Sequence, residues 1–259
     1  MKEQSQMGMN RTGVQMSPLD THDMQNALPE SKRPPAPGEQ TAMAALRTSY
    51  IEQADQVGSI PVPGTVKGAL STGAAMLTGN QPQLLIDKLG ERAAFERGGT
   101  RLYDALITKF EATEDNTTSM TLADLQKIRD DEARHFALIV SAIESIGGDP
   151  TAMTPCADVT AVESMGLMQV VNDPRTTLAQ CLHAMLVAEM TDEVGWEHLI
   201  VLAEDNGQSQ MVNDFTVALN DEQQHLMQVR RWFEEATLGK AISSGVMVDD
   251  VADAGRPLH

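Results

Sequence analysis

From residue 83 onward, apolar residues recur every three to four positions in four long runs, the spacing of one face of an α-helix. The first run spans about 83–112, with Leu85, Leu89, Tyr103, Leu106 and Phe110 on one stripe, and stops at the turn-rich TEDNTTS, residues 113–119. The second begins after Thr121, carries Leu125, Ile128, Ile139, Ala142 and Ile146, and stops at GGDP, residues 147–150. The third is predicted from about Pro174, a residue suited to a first helical turn, to Glu204. Its stripe is Leu178, Leu182, Met185, Trp196 and Leu199, and it ends at EDNGQS. The fourth runs from about Ser209 to Thr237, with Phe215, Ala218, Val229 and Trp232, and ends at Gly239. Short loops after the first and third runs predict two antiparallel hairpins. The connection over 147–173 is longer, and ADVTAVESMGLMQVV within it reads as a short helix lying across the others. Two hairpins joined by one long crossover between helices 2 and 3 predict an all-α fold built as a four-helix bundle.

The first 81 residues read differently. KRPPAPG at 32–38 and IPVPG at 60–64 favour extended backbone and resist packing. Residues 40–57 and 65–79 have helical character, but neither shows a convincing apolar face. The expected organisation is a largely disordered Pro/Gly/Gln-rich extension over 1–81, a bundle over 82–239 and a tail over 240–259. Composition narrows the function. Aromatics make up 3% of the chain, which argues for helices over a β-sandwich or barrel. The net charge is −18, and the acidity lies almost wholly after residue 81, so binding to nucleic acid through phosphates is not expected. Two cysteines, Cys156 and Cys181, are too few for a disulfide scaffold or a four-cysteine zinc site. Cys181 reads as a small core residue and Cys156 as a loop thiol. No apolar run approaches a membrane span, and MKEQSQMGMNR lacks the apolar segment of a secretory signal, so a cytoplasmic location is expected.

The stripes are interrupted by polar residues at matched places. Glu96 falls between Leu89 and Tyr103, Glu132 and His135 between Ile128 and Ile139, Glu189 between Met185 and Trp196, and Glu222 and His225 between Ala218 and Val229. Burying four carboxylates is costly unless cations neutralise them, and two divalent metal ions would do so. Glu-x-x-His puts both side chains on one helical face, one turn apart, within reach of one metal. The chain has two such motifs, each preceded by aspartate: Asp131-Glu132-Ala133-Arg134-His135 and Asp221-Glu222-Gln223-Gln224-His225. Their heights agree. Residue 114, midway between Glu96 and Glu132, lies in the first loop, and the midpoint of Glu189 and Glu222 lies in EDNGQS. All four glutamates are thereby placed near one level, within roughly 3–5 Å along the helix axes.

Residues 83–237 resemble the ferritin-like di-iron carboxylate superfamily, which includes bacterioferritins and rubrerythrins. Its pattern is one Glu on each of two helices and a Glu-x-x-His on each of the other two. The resemblance implies that Glu132 and Glu222 bridge two metals, with Glu96 and His135 completing one position and Glu189 and His225 the other. It further implies that Asp131 and Asp221 accept the free ring N–H of the histidine on the opposite helix. Tyr103 and Trp196, each seven residues after a single glutamate, are implied as redox-active neighbours. Asp192 and Glu193 resemble the extra carboxylate of rubrerythrins, although a solvated acidic face is the preferred reading of that pair. Gly98 and Gly99 serve either close helix packing or room for a small oxidant beside the metals. His183 and His198 read as surface or packing residues. No Cys-x-x-Cys pair supplies the rubredoxin-type iron site of rubrerythrins.

The resemblance implies two iron ions, with manganese as the other candidate. The expected function is oxidation of Fe²⁺, or reduction of O₂ or peroxide, in iron handling or defence against oxidative stress. The alternatives are a di-iron oxygenase acting on a small organic substrate and a metal-binding interaction protein without turnover. A homo-oligomer is compatible with either.

Overall fold

The computed structural model describes residues 40–60, 82–114 and 117–239, with Leu19, His22, Asp23 and Asn26 as isolated positions. The 65–79 stretch and the 240–259 tail lie outside the described residues. Six helices and no strands are found among the described residues: α1 (Gln40–Gln53), α2 (Pro82–Glu111), α3 (Leu122–Ser145), α4 (Pro155–Asn172), α5 (Leu178–Asp205) and α6 (Ser209–Leu238). The chain divides into two units, Met1–Asp55 and Gln56–His259. In the first, α1 falls within the 40–57 stretch, and its Met43, Leu46, Tyr50 and Ile51 are exposed, so it has no buried apolar face. No helix among the described residues is long and apolar enough to cross a membrane.

The second unit is built from α2–α6. Around it, α2 packs on α3, α3 on α6, α6 on α5 and α5 on α2, while α4 lies against α2 and α5. Local chemistry sets the boundaries. Thr121 and Thr154 cap the starts of α3 and α4, each accepting a hydrogen bond from the backbone N–H three residues on. Gly147 and Gly207 sit at φ 84° and 69°, the left-handed region, where they release the chain from α3 and α5.

The start of α5 differs from the sequence expectation. Pro174 lies in the turn before the helix, which begins at Leu178. Asp173 closes α4 and then accepts from the Arg175 N–H, holding 173–176 as a turn. Thr177 and Gln180 form a reciprocal capping box, a stronger start signal than a proline. The crossover helix α4 has 18 residues. It seats on α2 where Gly90 leaves room for Thr154: a Cβ on Gly90 would fall 2.5 Å from the threonine hydroxyl. Cys156, expected in a loop, stands in the first turn of α4 because Thr154 and Pro155 begin the helix just ahead of it.

The apolar stripes meet in two clusters. One gathers Leu102, Leu106, Leu125, Ile128, Leu182, Met185, Val229 and Trp232. The other gathers Leu85, Leu89, Ile139, Trp196, Leu199, Phe215 and Ala218. The polar interruptions fall between the two, so a charged layer has a hydrocarbon core on either side.

Candidate metal centre

Seven helical positions place carboxylates and imidazoles in that layer. Glu96 comes from α2, Glu132 and His135 from α3, Glu189 and Asp192 from α5, and Glu222 and His225 from α6. All seven are buried, none more than 3% exposed. Their ligand atoms form three overlapping sets, each with its atoms within 4.8 Å of one another. One set is Glu132, Glu189, Glu222 and His225; the second is Glu96, His135 and Glu222; the third is Glu96, Glu132, Asp192 and Glu222. Glu222 belongs to all three. Glu132 joins both ends of the layer but shares no set with His135.

The two imidazoles face inward through Nδ1. His225 Nδ1 lies 3.2 Å from Glu222 Oε2 and 3.8 Å from Glu132 Oε1. His135 Nδ1 lies 2.6 Å from Glu222 Oε1 and 3.8 Å from Glu96 Oε2, close but out of line for a hydrogen bond. The outward nitrogens reach the two aspartates on opposite helices: His225 Nε2 is 3.1 Å from Asp131, and His135 Nε2 is 3.5 Å from Asp221. Arg134, inside the first motif, bonds Asp131 and reaches Asp221 at 3.4 Å, so one guanidinium braces both. Lys127 adds a second donor to Asp131 at 2.6 Å.

Tyr103 donates its hydroxyl to Glu189 Oε1. Trp196 sets its ring edge-on to His135, with centroids 5.5 Å apart, and packs on Phe215. The two glycines separate in role. Gly99 faces the layer, and a Cβ there would lie 2.9 Å from Glu132 Cδ and closer still to Oε2. Gly98 faces away, with nothing within 4 Å of an added Cβ. Close approach of helix to carboxylate therefore accounts for Gly99, and Gly98 opens no space beside the centre.

Asp192 is not part of a solvated acidic face. It is buried and shares a salt bridge with Arg92, a side chain only 3% exposed. Glu193, one residue on and about 100° around the helix, belongs to none of the ligand sets. Arg92 is the residue that sequence reasoning missed. It stands one turn before Glu96, at the next stripe position after Leu89, and its Nη1 lies 3.4 Å from Glu96 Oε1. His183 is exposed and lies beside Phe233, and His198 is exposed. Cys181 is fully buried.

Electrostatics follow from the burial. Burial and the neighbouring carboxylates push Glu96 and Glu132 well above the usual range, against a partial offset from Arg92 at Glu96. Burial and Glu222 push Glu189 up to about 8. Burial raises Asp192 to about 7 despite Arg92. Burial would raise Glu222 too, but the flanking His135 and His225 hold it at about 2. Burial lowers His225, and Glu222 more than reverses this, to about 9. Within the layer the two imidazoles thus favour the charged form of Glu222, whereas burial favours the protonated forms of Glu96, Glu132 and Glu189.

The test of fit is hydrogen-bond satisfaction. Buried polar atoms normally have partners. Here Glu96 Oε1 and Oε2, Glu132 Oε2, Glu189 Oε2 and Glu222 Oε1 have none, and neither has either ring nitrogen of His135. These atoms converge on the same layer. Five carboxylates and two imidazoles form a set of oxygen and nitrogen donors that could hold metal ions. Comparison with known proteins found no matching family model, no matching curated protein and no matching solved structure.

Proposed function

We propose that this chain is a ferritin-like four-helix bundle carrying a non-haem di-iron centre, and that it oxidises Fe²⁺ or reduces O₂ or peroxide there. The observation that carries this reading is the convergence of five buried carboxylate oxygens without a hydrogen bond on one layer beside two inward-facing imidazoles. Glu96, His135 and Glu222 would hold one ion, and Glu132, Glu189, Glu222 and His225 the other. Each ferrous ion would give up one electron on oxidation, so a pair would supply the two electrons that, with two protons from solvent, reduce one peroxide to two waters.

The chain's own residues prepare that chemistry. Asp131 hydrogen-bonds the outward nitrogen of His225, Asp221 stands 3.5 Å from that of His135, and Arg134 contacts both aspartates. The Tyr103 hydroxyl fixes one oxygen of Glu189, leaving the other for a cation. The two apolar clusters keep bulk water from either side of the layer, which strengthens every charge interaction within it. The acidic surface raises the local concentration of cations, which suits ferrous iron as a substrate.

Elemental analysis of protein from iron-supplemented cells tests the reading, with a Glu132→Ala/Glu222→Ala double variant as control. The expected result is about two irons per chain in the parent, lost in the variant while circular dichroism still reports helix. Fe²⁺ oxidation by O₂ or peroxide then follows the iron content. A metal-free parent with an equally stable variant would overturn it.

A further inference from the structure

Between α2 and α5, outside the carboxylate layer, runs a cleft of about 230 Å³. Its walls are mainly Leu84, Leu199, Val201 and Leu202, with Lys88 and Arg92 among its lining cations. Leu84 and Val201 are exposed, whereas Arg92 and Leu199 are buried. The cleft therefore has a rim in which Leu84 and Val201 alternate with Lys88, Glu91 and His198, and a floor that bears a guanidinium.

That guanidinium is held rigidly and is only half used. Its protein hydrogen bonds all leave from Nη1, to the Asp192 carboxylate and, at 3.2 Å, to the Asp192 carbonyl. Its Cζ lies 4.5 Å from the centre of the Phe95 ring, a cation–π contact. Nη2 lies against Gly195, which also lines the cleft; a Cβ there would meet Nη2 at 2.5 Å. A side chain at 195 would thus occupy the space beside the donor edge that Asp192 does not use.

We propose that this cleft binds a small organic acid, its carboxylate on the Nη2 edge of Arg92 and its apolar body against Leu84, Leu199 and Leu202. A guanidinium offers only donors, in a planar fork that matches a carboxylate, so the occupant is an anion. The walls are hydrocarbon, so the occupant carries an apolar part that phosphate and sulfate lack. Glu91 stands in the same wall, paired to Lys88, and with the strongly acidic chain it favours a single negative charge over several. The volume is below that of drug-sized pockets, which limits the occupant to roughly ten heavy atoms. The cleft is built from the chain's own side chains and includes none of the Glu and His residues proposed to hold iron. Because Arg92 Nη1 touches Asp192 and Glu96, the acid would sit one guanidinium away from that layer.

Hexanoate serves as the probe, added to the full-length protein in metal-free and iron-supplemented forms. Hexanol and sulfate are the controls, and binding is read by calorimetry and ligand-observed NMR. The expected result is saturable hexanoate binding, with Kd about 1 mM or tighter, and at least tenfold weaker binding of both controls. Arg92→Gln and Leu202→Trp, the second filling the cleft without touching the layer, each weaken hexanoate at least tenfold. No saturable binding to the parent would overturn the proposal. So would hexanol or sulfate binding as well as hexanoate, or Leu202→Trp binding hexanoate like the parent. If Arg92→Gln does not fold, the hexanol comparison and Leu202→Trp decide. Metal content, measured separately, tells a failure here from a failure of the di-iron reading.

Discussion

Alanine placed at two adjacent glycines should act in opposite ways. At Gly98 an added methyl meets nothing within 4 Å, so only backbone entropy changes. A mid-helix glycine costs about 0.5–1 kcal/mol relative to alanine, and Gly98→Ala should recover that amount. At Gly99 the same methyl falls 2.9 Å from Glu132 Cδ, well inside ordinary contact, and the carboxylate oxygen is closer still. Only the Glu132 side chain can give way, since the helix backbone cannot. The crowding costs about 1–3 kcal/mol if the side chain stays, which cancels the helix gain. If it moves, it leaves both ligand sets to which it belongs. Disturbing even an outer partner of a ligand lowers metal affinity by about 10–100-fold, or about 1.4–2.7 kcal/mol, so displacing a ligand itself should cost at least that much. Urea unfolding of the metal-free proteins, followed by Fe²⁺ titration under anaerobic conditions, separates the two effects. Gly98→Ala should be more stable with parental affinity, and Gly99→Ala no more stable with weakened affinity. Equal iron affinity in the two variants would refute the assignment of Gly99 to the Glu132 contact.

Thr177→Ala removes the capping box of α5 and should cost about 1 kcal/mol in urea unfolding, with Thr177→Ser close to the parent. Glu235 accepts from the backbone and hydroxyl of Ser119 and from Arg231, which hold its carboxyl below the usual range despite burial. Its contribution is whole above the unfolded value of about 4.3 and lost as the pH falls through the lower folded value, so Glu235→Gln should flatten the loss of stability between about pH 5 and 3. Burial and the Asp87 contact raise the Cys156 thiol to about 11, so iodoacetamide should modify it slowly at pH 8 and faster as the pH climbs. Alkylation at pH 8 at the rate of an unhindered thiol would contradict that environment.

The helices were legible because each is long and its stripe is strongly periodic. The Glu-x-x-His pairs were legible because their spacing leaves one geometry. Arg92 and Asp192 were equally present in the pattern: Leu85, Leu89, Arg92, Glu96, Gly99, Tyr103 and Leu106 make one unbroken stripe, as do Met185, Glu189, Asp192, Trp196 and Leu199. Both charged residues occupy core positions, and a buried salt bridge between helices is what their placement implies. A charge in a sequence is usually solvated, and only the juxtaposition of α2 and α5 shows this one paired. The start of α5 was misjudged because a proline signal at 174 competes with a capping box three residues later. The α2/α5 cleft depends on Gly195 facing Arg92, a relation between residues about a hundred positions apart that spacing within one helix cannot reveal.

The two hairpins are copies of one another in the residues that meet in the layer. Asp131, Glu132 and His135 recur ninety positions on as Asp221, Glu222 and His225, and Glu96 recurs ninety-three positions on as Glu189. The correspondence then breaks. Tyr103 answers to Trp196, Gly99 to Asp192 and Arg92 to Met185. A chain with a twofold repeat in these residues is thus asymmetric in what surrounds them. One end of the layer has a phenol on its glutamate, and the other has an indole against its imidazole. One hairpin brings a carboxylate where its twin brings only a hydrogen atom. The two halves cannot exchange places, and whatever enters the layer meets a front and a back.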